Sequence, residues 1–285
     1  MPEMFWQLSN KIFPAKAQSA QRKIQMLDKQ ADTEGERPKN GNPIRIAHSE
    51  IRILLWDIDG TLLSSTESGA FRKYFAPVMR EIYGSSGKLD ELNVSGMTDT
   101  QIFYESLRDE GFTPEQILRS AGRLLPVFKK QMTEVIGKTA TPYVIKPGAR
   151  RILEATAKDS RFLNALLTGN LSVAAKIKLD YFDLWKYFEN VPNIFGELSH
   201  DRRKLGLAAV RIFDSFLGEN LKPEQFVVIG DTPNDITAAR AFGAKMLSVA
   251  TGKNHPREEL LKYEPDIVID DLSDTQKVLE ILETI

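Results

Sequence analysis

The stretch Leu54-Leu55-Trp56-Asp57-Ile58-Asp59-Gly60-Thr61 decides the fold, because an apolar run ends in it abruptly on two aspartates and a glycine. Ile51 to Trp56 has the length and unbroken apolarity of a strand buried on both faces, as strands of parallel sheets are. A second stretch repeats the pattern toward the C-terminus: Val228-Ile229-Gly230-Asp231-Thr232-Pro233-Asn234-Asp235. A parallel α/β sheet opens its ligand crevice at the carboxyl ends of its strands, so Asp57, Asp59, Asp231 and Asp235 are expected to converge there. Converging buried carboxylates repel one another unless a cation holds them, and a divalent metal is the simplest neutraliser.

Outward from these motifs, Phe162–Leu167, Phe226–Ile229, Met246–Val249 and Ile267–Ile269 also read as short buried strands, with Asn193-Ile194-Phe195 a weaker candidate. Between them Leu205, Ala208, Ala209, Ile212, Phe213 and Phe216 recur at helical spacing, as do Val278, Leu279, Ile281 and Leu282. Strand and helix in alternation predict an α/β fold with a doubly wound, Rossmann-like parallel sheet. Residues 63–146 interrupt it with helical signals alone. Phe71, Phe75, Val78, Met79 and Ile82 share one face, Ile102, Phe103 and Leu107 another; Gly111 marks a helix stop, and Thr113-Pro114-Glu115-Gln116 resembles a capping box. The expected organisation is a flexible extension over 1–46, an α/β core over 47–62 and 147–285, and an inserted all-helical cap domain over 63–146. A domain growing out of a catalytic loop can close over the site as a lid. Within the extension, Phe5, Trp6, Leu8, Ile12 and Phe13 allow a short amphipathic helix, against a polar, breaker-rich remainder.

Composition narrows the chemistry. The 285 residues, 42% hydrophobic and 27% charged, describe an ordinary globular chain long enough for about two domains. A formal net charge of −1 provides no basic field to draw in nucleic acid or anionic lipid. Zero cysteines exclude thiolate metal sites and Cys nucleophiles, and three histidines argue against an imidazole-rich site. A metal here is expected to be hard and oxygen-bound, which points to magnesium. No apolar run is long enough for a membrane span and no secretory signal is evident, so a cytoplasmic location is expected.

The motifs suggest distinct roles. Asp57, fixed at the end of a buried strand, is the better nucleophile; an aspartate attacking phosphorus forms an aspartyl-phosphate that water later hydrolyses. Asp59, two residues on, can protonate the departing alkoxide and then deprotonate the attacking water. Gly60 permits an unusual turn, and Thr61 offers a hydroxyl to the loop. A calcium loop fits poorly, since glycine falls at its fourth position and Ser68, not Glu, at its twelfth. Thr168-Gly169-Asn170 offers a hydroxyl and free amides to a phosphate oxygen at another strand end. Asp231 is expected to hold the metal, with Asp235 joining it or orienting a bound water; helix capping explains one of the two, but not both together with the preceding strand. Phosphoryl transfer also needs a fixed cation, and Arg202, Arg203 and Lys204 precede a helix expected to begin near Leu205.

In order and placement these motifs resemble those of the haloacid dehalogenase-like hydrolase superfamily from about residue 50 to the C-terminus. Asp57-Ile58-Asp59-Gly60-Thr61 is similar to its first motif, Thr168 to its second, Arg202 or Lys204 more loosely to its third, and Gly230-Asp231-Thr232-Pro233-Asn234-Asp235 to its fourth. The resemblance implies that Asp57 is the nucleophile, Asp59 the acid/base, and Asp57, Asp231 and the Asp59 backbone carbonyl the magnesium ligands, and it favours Arg202 over Lys204. An acid at Asp59 resembles the phosphatase and phosphomutase branches rather than the dehalogenases, and Ser95-Gly96-Met97-Thr98-Asp99 resembles a segment of phosphoglycolate-phosphatase-like members. The expected function is a magnesium-dependent phosphomonoesterase acting on a small phosphorylated metabolite. The alternatives are a sugar phosphomutase using the same intermediate and a noncatalytic partner-binding protein.

Overall fold

The computed structural model describes residues 51–137 and 141–285. The extension over 1–46, with the helix suggested around Phe5 and Ile12, lies outside the described residues.

Seven strands are described: β1 (Arg52–Trp56), β2 (Leu63–Ser65), β3 (Tyr143–Ile145), β4 (Phe162–Leu166), β5 (Phe226–Gly230), β6 (Lys245–Val249) and β7 (Ile267–Ile269). Five of them form a parallel sheet in the order β4-β1-β5-β6-β7. The chain starts in the middle and reverses direction across the sheet, so the switch point falls beside β1, where such sheets place a ligand. Leu54 and Trp56 of β1 face one core, with Ile152, Leu153, Val278 and Leu282. Ile53 and Leu55 face the other, with Leu205, Phe213, Ile236 and Phe242. The strict alternation of a strand thus feeds two helical layers, and burial on both faces explains the unbroken apolar run.

One layer is built from α5 (Ala149–Lys158), α6 (Ser172–Tyr181) and α10 (Thr275–Thr284), the other from α7 (Arg202–Leu217), α8 (Pro233–Phe242) and α9 (Arg257–Leu261). The sheet also carries one buried polar network: Trp56 Nε1 donates to Asn164 Oδ1 at 2.9 Å, and Thr156 bonds the same side chain. An indole N–H in a core needs such a partner, because an unmade buried hydrogen bond costs about 1–3 kcal/mol.

The stretch between the first motif and the sheet's second strand holds α1 (Arg72–Tyr83), α2 (Asp99–Leu107), α3 (Pro114–Arg119) and α4 (Ala121–Val135). They surround their own apolar cluster, in which the Phe75 ring stacks on Phe103 at 4.9 Å and meets Phe128 edge-on at 5.1 Å. Thr113 and Gln116 form a reciprocal capping box with Pro114 in the first turn of α3. The stretch is not purely helical, however, because β2 and β3 pair antiparallel where the chain leaves and re-enters the core. Three-residue strands are too short to print a period on the sequence. Asn193–Phe195 likewise forms only a single bridge, Leu167 to Ile194, rather than a strand. None of the described helices is long and apolar enough to cross a membrane.

Candidate active site

Register sets the site. Trp56 pairs with Leu166 on one side and Ile229 on the other, so β1, β4 and β5 end level with one another. Asp57 follows directly, its N–H bonded to Ile229 O at 2.9 Å. Gly60 then turns the chain at φ +100°, and a Cβ there would run into the Asp231 carboxylate; only glycine lets the two motifs approach this closely.

Asp57, Asp231 and Asp235 are buried, with one carboxylate oxygen of each lying within 4.8 Å of the others. Arg202 reaches into the cluster: one guanidinium nitrogen contacts Asp57 Oδ1 at 2.9 Å and also Asp235 Oδ1, and the other donates to Gly96 O at 3.3 Å. Burial opposes the guanidinium's charge, yet Asp235 and Asp57 more than offset this and hold it firmly protonated. Burial raises the Asp57 carboxyl to about 6 despite Arg202, with Asp235 and Asp59 adding repulsion. Asp231 is raised well above the ordinary range, again first by burial and then by its two acidic neighbours. One guanidinium does not balance three buried carboxylates.

Asp235 is fully occupied. Its Oδ1 meets Arg202, and its Oδ2 accepts from the Thr232 N–H at 3.0 Å and the Thr232 hydroxyl at 2.7 Å in the capping box that opens α8. Asp235 therefore anchors Arg202 and caps the helix, and it lies with Asp57 and Asp231 in the group of described carboxylates close enough to share a cation. This all-oxygen donor set, without Cys or His, fits a hard divalent ion.

Several sequence expectations land differently in space. The helix α7 begins at Arg202 rather than near Leu205, because Asp201 caps it by accepting from the Arg203 N–H. Arg202 turns inward, whereas Lys204, two residues and about 200° further around the helix, is exposed and outside the cluster. Arg203 pairs with Asp201. Thr61 does not line the cavity; its hydroxyl donates to Asp231 Oδ1 at 2.9 Å. The buried Thr168 hydroxyl accepts from Asn170 Nδ2 at 2.9 Å, while Gly169 and Asn170 line the cavity.

Two charged side chains at the site were given no role of their own in the sequence reading. Lys178 of α6 is buried and places Nζ 2.6 Å from Asp59 Oδ2 and 2.7 Å from Asn170 Oδ1. Its signal was present: Lys178 is four residues from Ala174, three from Ala175 and adjacent to Leu179, all on the buried face. Asp99, at the start of α2, is pushed up to about 7 by burial, although Lys178 works against that, and its Oδ2 accepts the Leu171 N–H.

The segment from Ser95 to Thr100 straps the helical cap onto the core. Gly96 O accepts from Asn234 Nδ2 at 2.9 Å, Asp99 N donates to Gly169 O at 2.7 Å, Thr100 Oγ1 to Gly196 O at 2.7 Å, and Ser95 Oγ meets His255 Nε2 at 2.9 Å. Beneath it lies a cavity of about 420 Å³ lined by Asp57, Asp59, Asn170, Lys178, Arg202 and Asp231 on the core side and Arg72, Phe75, Ser95 and Met97 on the cap side. This is the volume of a small-molecule pocket.

Comparison with known proteins agrees with this geometry. A family model described as HAD-hydrolase-like matches residues 204–275. The phosphoglycolate phosphatase of Aquifex aeolicus is 24% identical over 81% of this chain and 97% of its own, and phosphoglycolate phosphatase 1 of Pseudomonas aeruginosa is 25% identical over 78% of each. A crystal structure of a HAD hydrolase from Entamoeba histolytica superposes with a TM-score of 0.56 at 17% identity, covering 82% of this chain and all of that one, and so shares its fold. The chain is thus similar to haloacid dehalogenase-like hydrolases over residues 204–275 and, across about four-fifths of its length, to phosphoglycolate phosphatases.

Proposed function

We propose that the protein is a magnesium-dependent phosphomonoesterase that cleaves small phosphorylated metabolites through a phosphoenzyme on Asp57. The observation that carries this reading is the Arg202 guanidinium held between Asp57 and Asp235 at the level ends of β1 and β5, beside Asp59 and beneath a cap. An Asp57 oxygen attacks phosphorus as the ester P–O bond breaks; the leaving oxygen takes the electron pair and a proton from Asp59. Water then attacks the same phosphorus, gives its proton to Asp59, and Asp57 departs as a carboxylate with free phosphate. Arg202 steadies the equatorial oxygens in both steps, acting from a fixed, buried position. Asp57, Asp231 and the Asp59 carbonyl would hold magnesium, which when bound would neutralise the crowded carboxylates and polarise the phosphoryl group.

The cavity between cap and core has the size of a small-molecule pocket, which favours metabolites over phosphoproteins. The curated relatives' names make 2-phosphoglycolate the first ester to assay. The deciding measurement is phosphate release with and without magnesium for the wild type and Asp57→Asn. The substitution removes the nucleophile and is expected to lower turnover by about 10³-fold or more; hydrolysis that survives it would sink the phosphoenzyme mechanism.

A further inference from the structure

Lys178 is a buried cation that the phosphatase mechanism above does not use. Burial opposes its charge, yet Asp59, Tyr143 and Asp99 hold it protonated. Its Nζ meets Asp59 Oδ2 at 2.6 Å and Asn170 Oδ1 at 2.7 Å, and Asn170 Nδ2 closes the triangle on the same Asp59 Oδ2 at 2.8 Å. The ammonium also lies 5.0 Å from the centre of the Tyr143 ring on β3, whose hydroxyl bonds Tyr74 of the cap at 2.8 Å. The Asp59 side chain is 43% exposed, whereas that of Lys178 is 5% exposed, so the fixed partner orients the free one.

We propose that Lys178 is the positioning residue for Asp59, fixing its carboxyl through Oδ2 so that Oδ1 carries the proton to and from the reacting oxygens. This rests on Asp59 being the acid/base of the phosphomonoesterase reading. Both donors to Asp59 end on Oδ2, and a carboxyl gripped on one oxygen by two donors loses rotation about its Cβ–Cγ bond. In the first step the Oδ1–H proton passes to the ester oxygen as its P–O bond breaks. In the second, the proton of the attacking water returns to Oδ1. Neither step moves a proton to Lys178. Its contribution is orientation, and misplacing a general acid by about 1 Å can cost roughly 10²-fold in rate.

The test exploits the leaving group. p-Nitrophenolate departs without a proton, whereas an alkoxide needs one, so a misplaced acid harms alkyl esters selectively. kcat/KM is compared for p-nitrophenyl phosphate, glycerol 2-phosphate and 2-phosphoglycolate in wild type, Lys178→Met and Lys178→Gln. Lys178→Met keeps a long apolar stem and is expected to lose about 10²-fold on both alkyl esters but under about 3-fold on the aryl ester. Lys178→Gln retains one donor and is expected to recover part of the alkyl loss; if the methionine variant fails to fold, the same selectivity is read from Gln. Equal losses on all three esters, or no loss, would overturn the proposal. So would a rise in KM confined to 2-phosphoglycolate, which would make Lys178 a ligand of the substrate carboxylate. A wild type inactive on every ester with magnesium would overturn the phosphomonoesterase reading and this inference together, whereas an active wild type with unselective variants overturns this inference alone.

Discussion

Replacing Arg202 by methionine removes the only described cation in contact with Asp57 and Asp235 while keeping much of the side chain's volume. Breaking a buried ion pair from one side costs about 3–5 kcal/mol, since the orphaned charge stays behind. Here the cost should depend on pH in a defined direction. Asp57 is raised to about 6 with Arg202 in place, so its folded value exceeds its unfolded one. Such a carboxyl weakens the fold as pH rises from the ordinary carboxylate range through that value. In R202M the carboxyl loses its counter-charge and titrates higher, so the weakening continues beyond pH 6. Over the roughly 1.5 units to pH 7.5, at about 1.36 kcal/mol per unit, the added deficit is about 2 kcal/mol. Urea unfolding in metal-free buffer, followed by tryptophan fluorescence, is therefore expected to show a deficit about 2 kcal/mol larger near pH 7.5 than near pH 5, with unchanged slope. Equal deficits at the two pH values would refute the electrostatic account and leave only lost packing.

Magnesium should act on the same charges from the other side. Asp57 and Asp231 both lie above their ordinary values, so ionising them strains the metal-free fold as pH rises. Saturating magnesium at about 100 times its dissociation constant should add about 2.7 kcal/mol, or about 5 °C or more of melting temperature, near pH 7.5. Near pH 5, where protons compete for the same oxygens, the gain should shrink; a calorimetric shift independent of pH would speak against these ligands. In the strap, Gly96 has φ +69°, and a Cβ there would approach Asn234 Nδ2 and Thr232 Oγ1 at 2.8 Å. Gly96→Ala is expected to cost about 1–3 kcal/mol in urea unfolding and to lower kcat/KM by displacing the carbonyl that Arg202 contacts; wild-type values for both would show that the strap tolerates a side chain.

Much of the core was legible because its signals are local. The apolar runs of β1, β4, β5, β6 and β7 coincide with the observed strands to within a residue or so, since burial on both faces leaves no ambiguity of face. What escaped was set by three-dimensional neighbours. Thr61 reads as a loop hydroxyl until the turn at Gly60 brings it against Asp231. Arg202, Arg203 and Lys204 are indistinguishable as letters, and the cap at Asp201, which fixes the helix phase, separates the buried one from its exposed neighbours. Lys178 lay in plain view on an apolar helical face, but its partner is 119 positions away in the chain, a distance no periodicity spans. Asp235 matched a motif and a capping box at once, and in space it serves the cap and Arg202 while lying within the acidic cluster.

The pairing of Leu63 with Ile145 brings the two ends of the helical insertion side by side. To the sheet, everything between them is one long loop, closed at its base by this pairing and tied to the core again by the strap from Ser95 to Thr100. The entropy of closing such a loop rises only by about 0.6 kcal/mol for each doubling of its length, so the sheet tolerates a longer or shorter insertion as long as the strap keeps its bonds to the core. Reaction and recognition are thereby separately heritable: mutations can rewrite the cavity's upper wall, by substitution, extension or wholesale replacement, while the strand that delivers Asp57 remains in register.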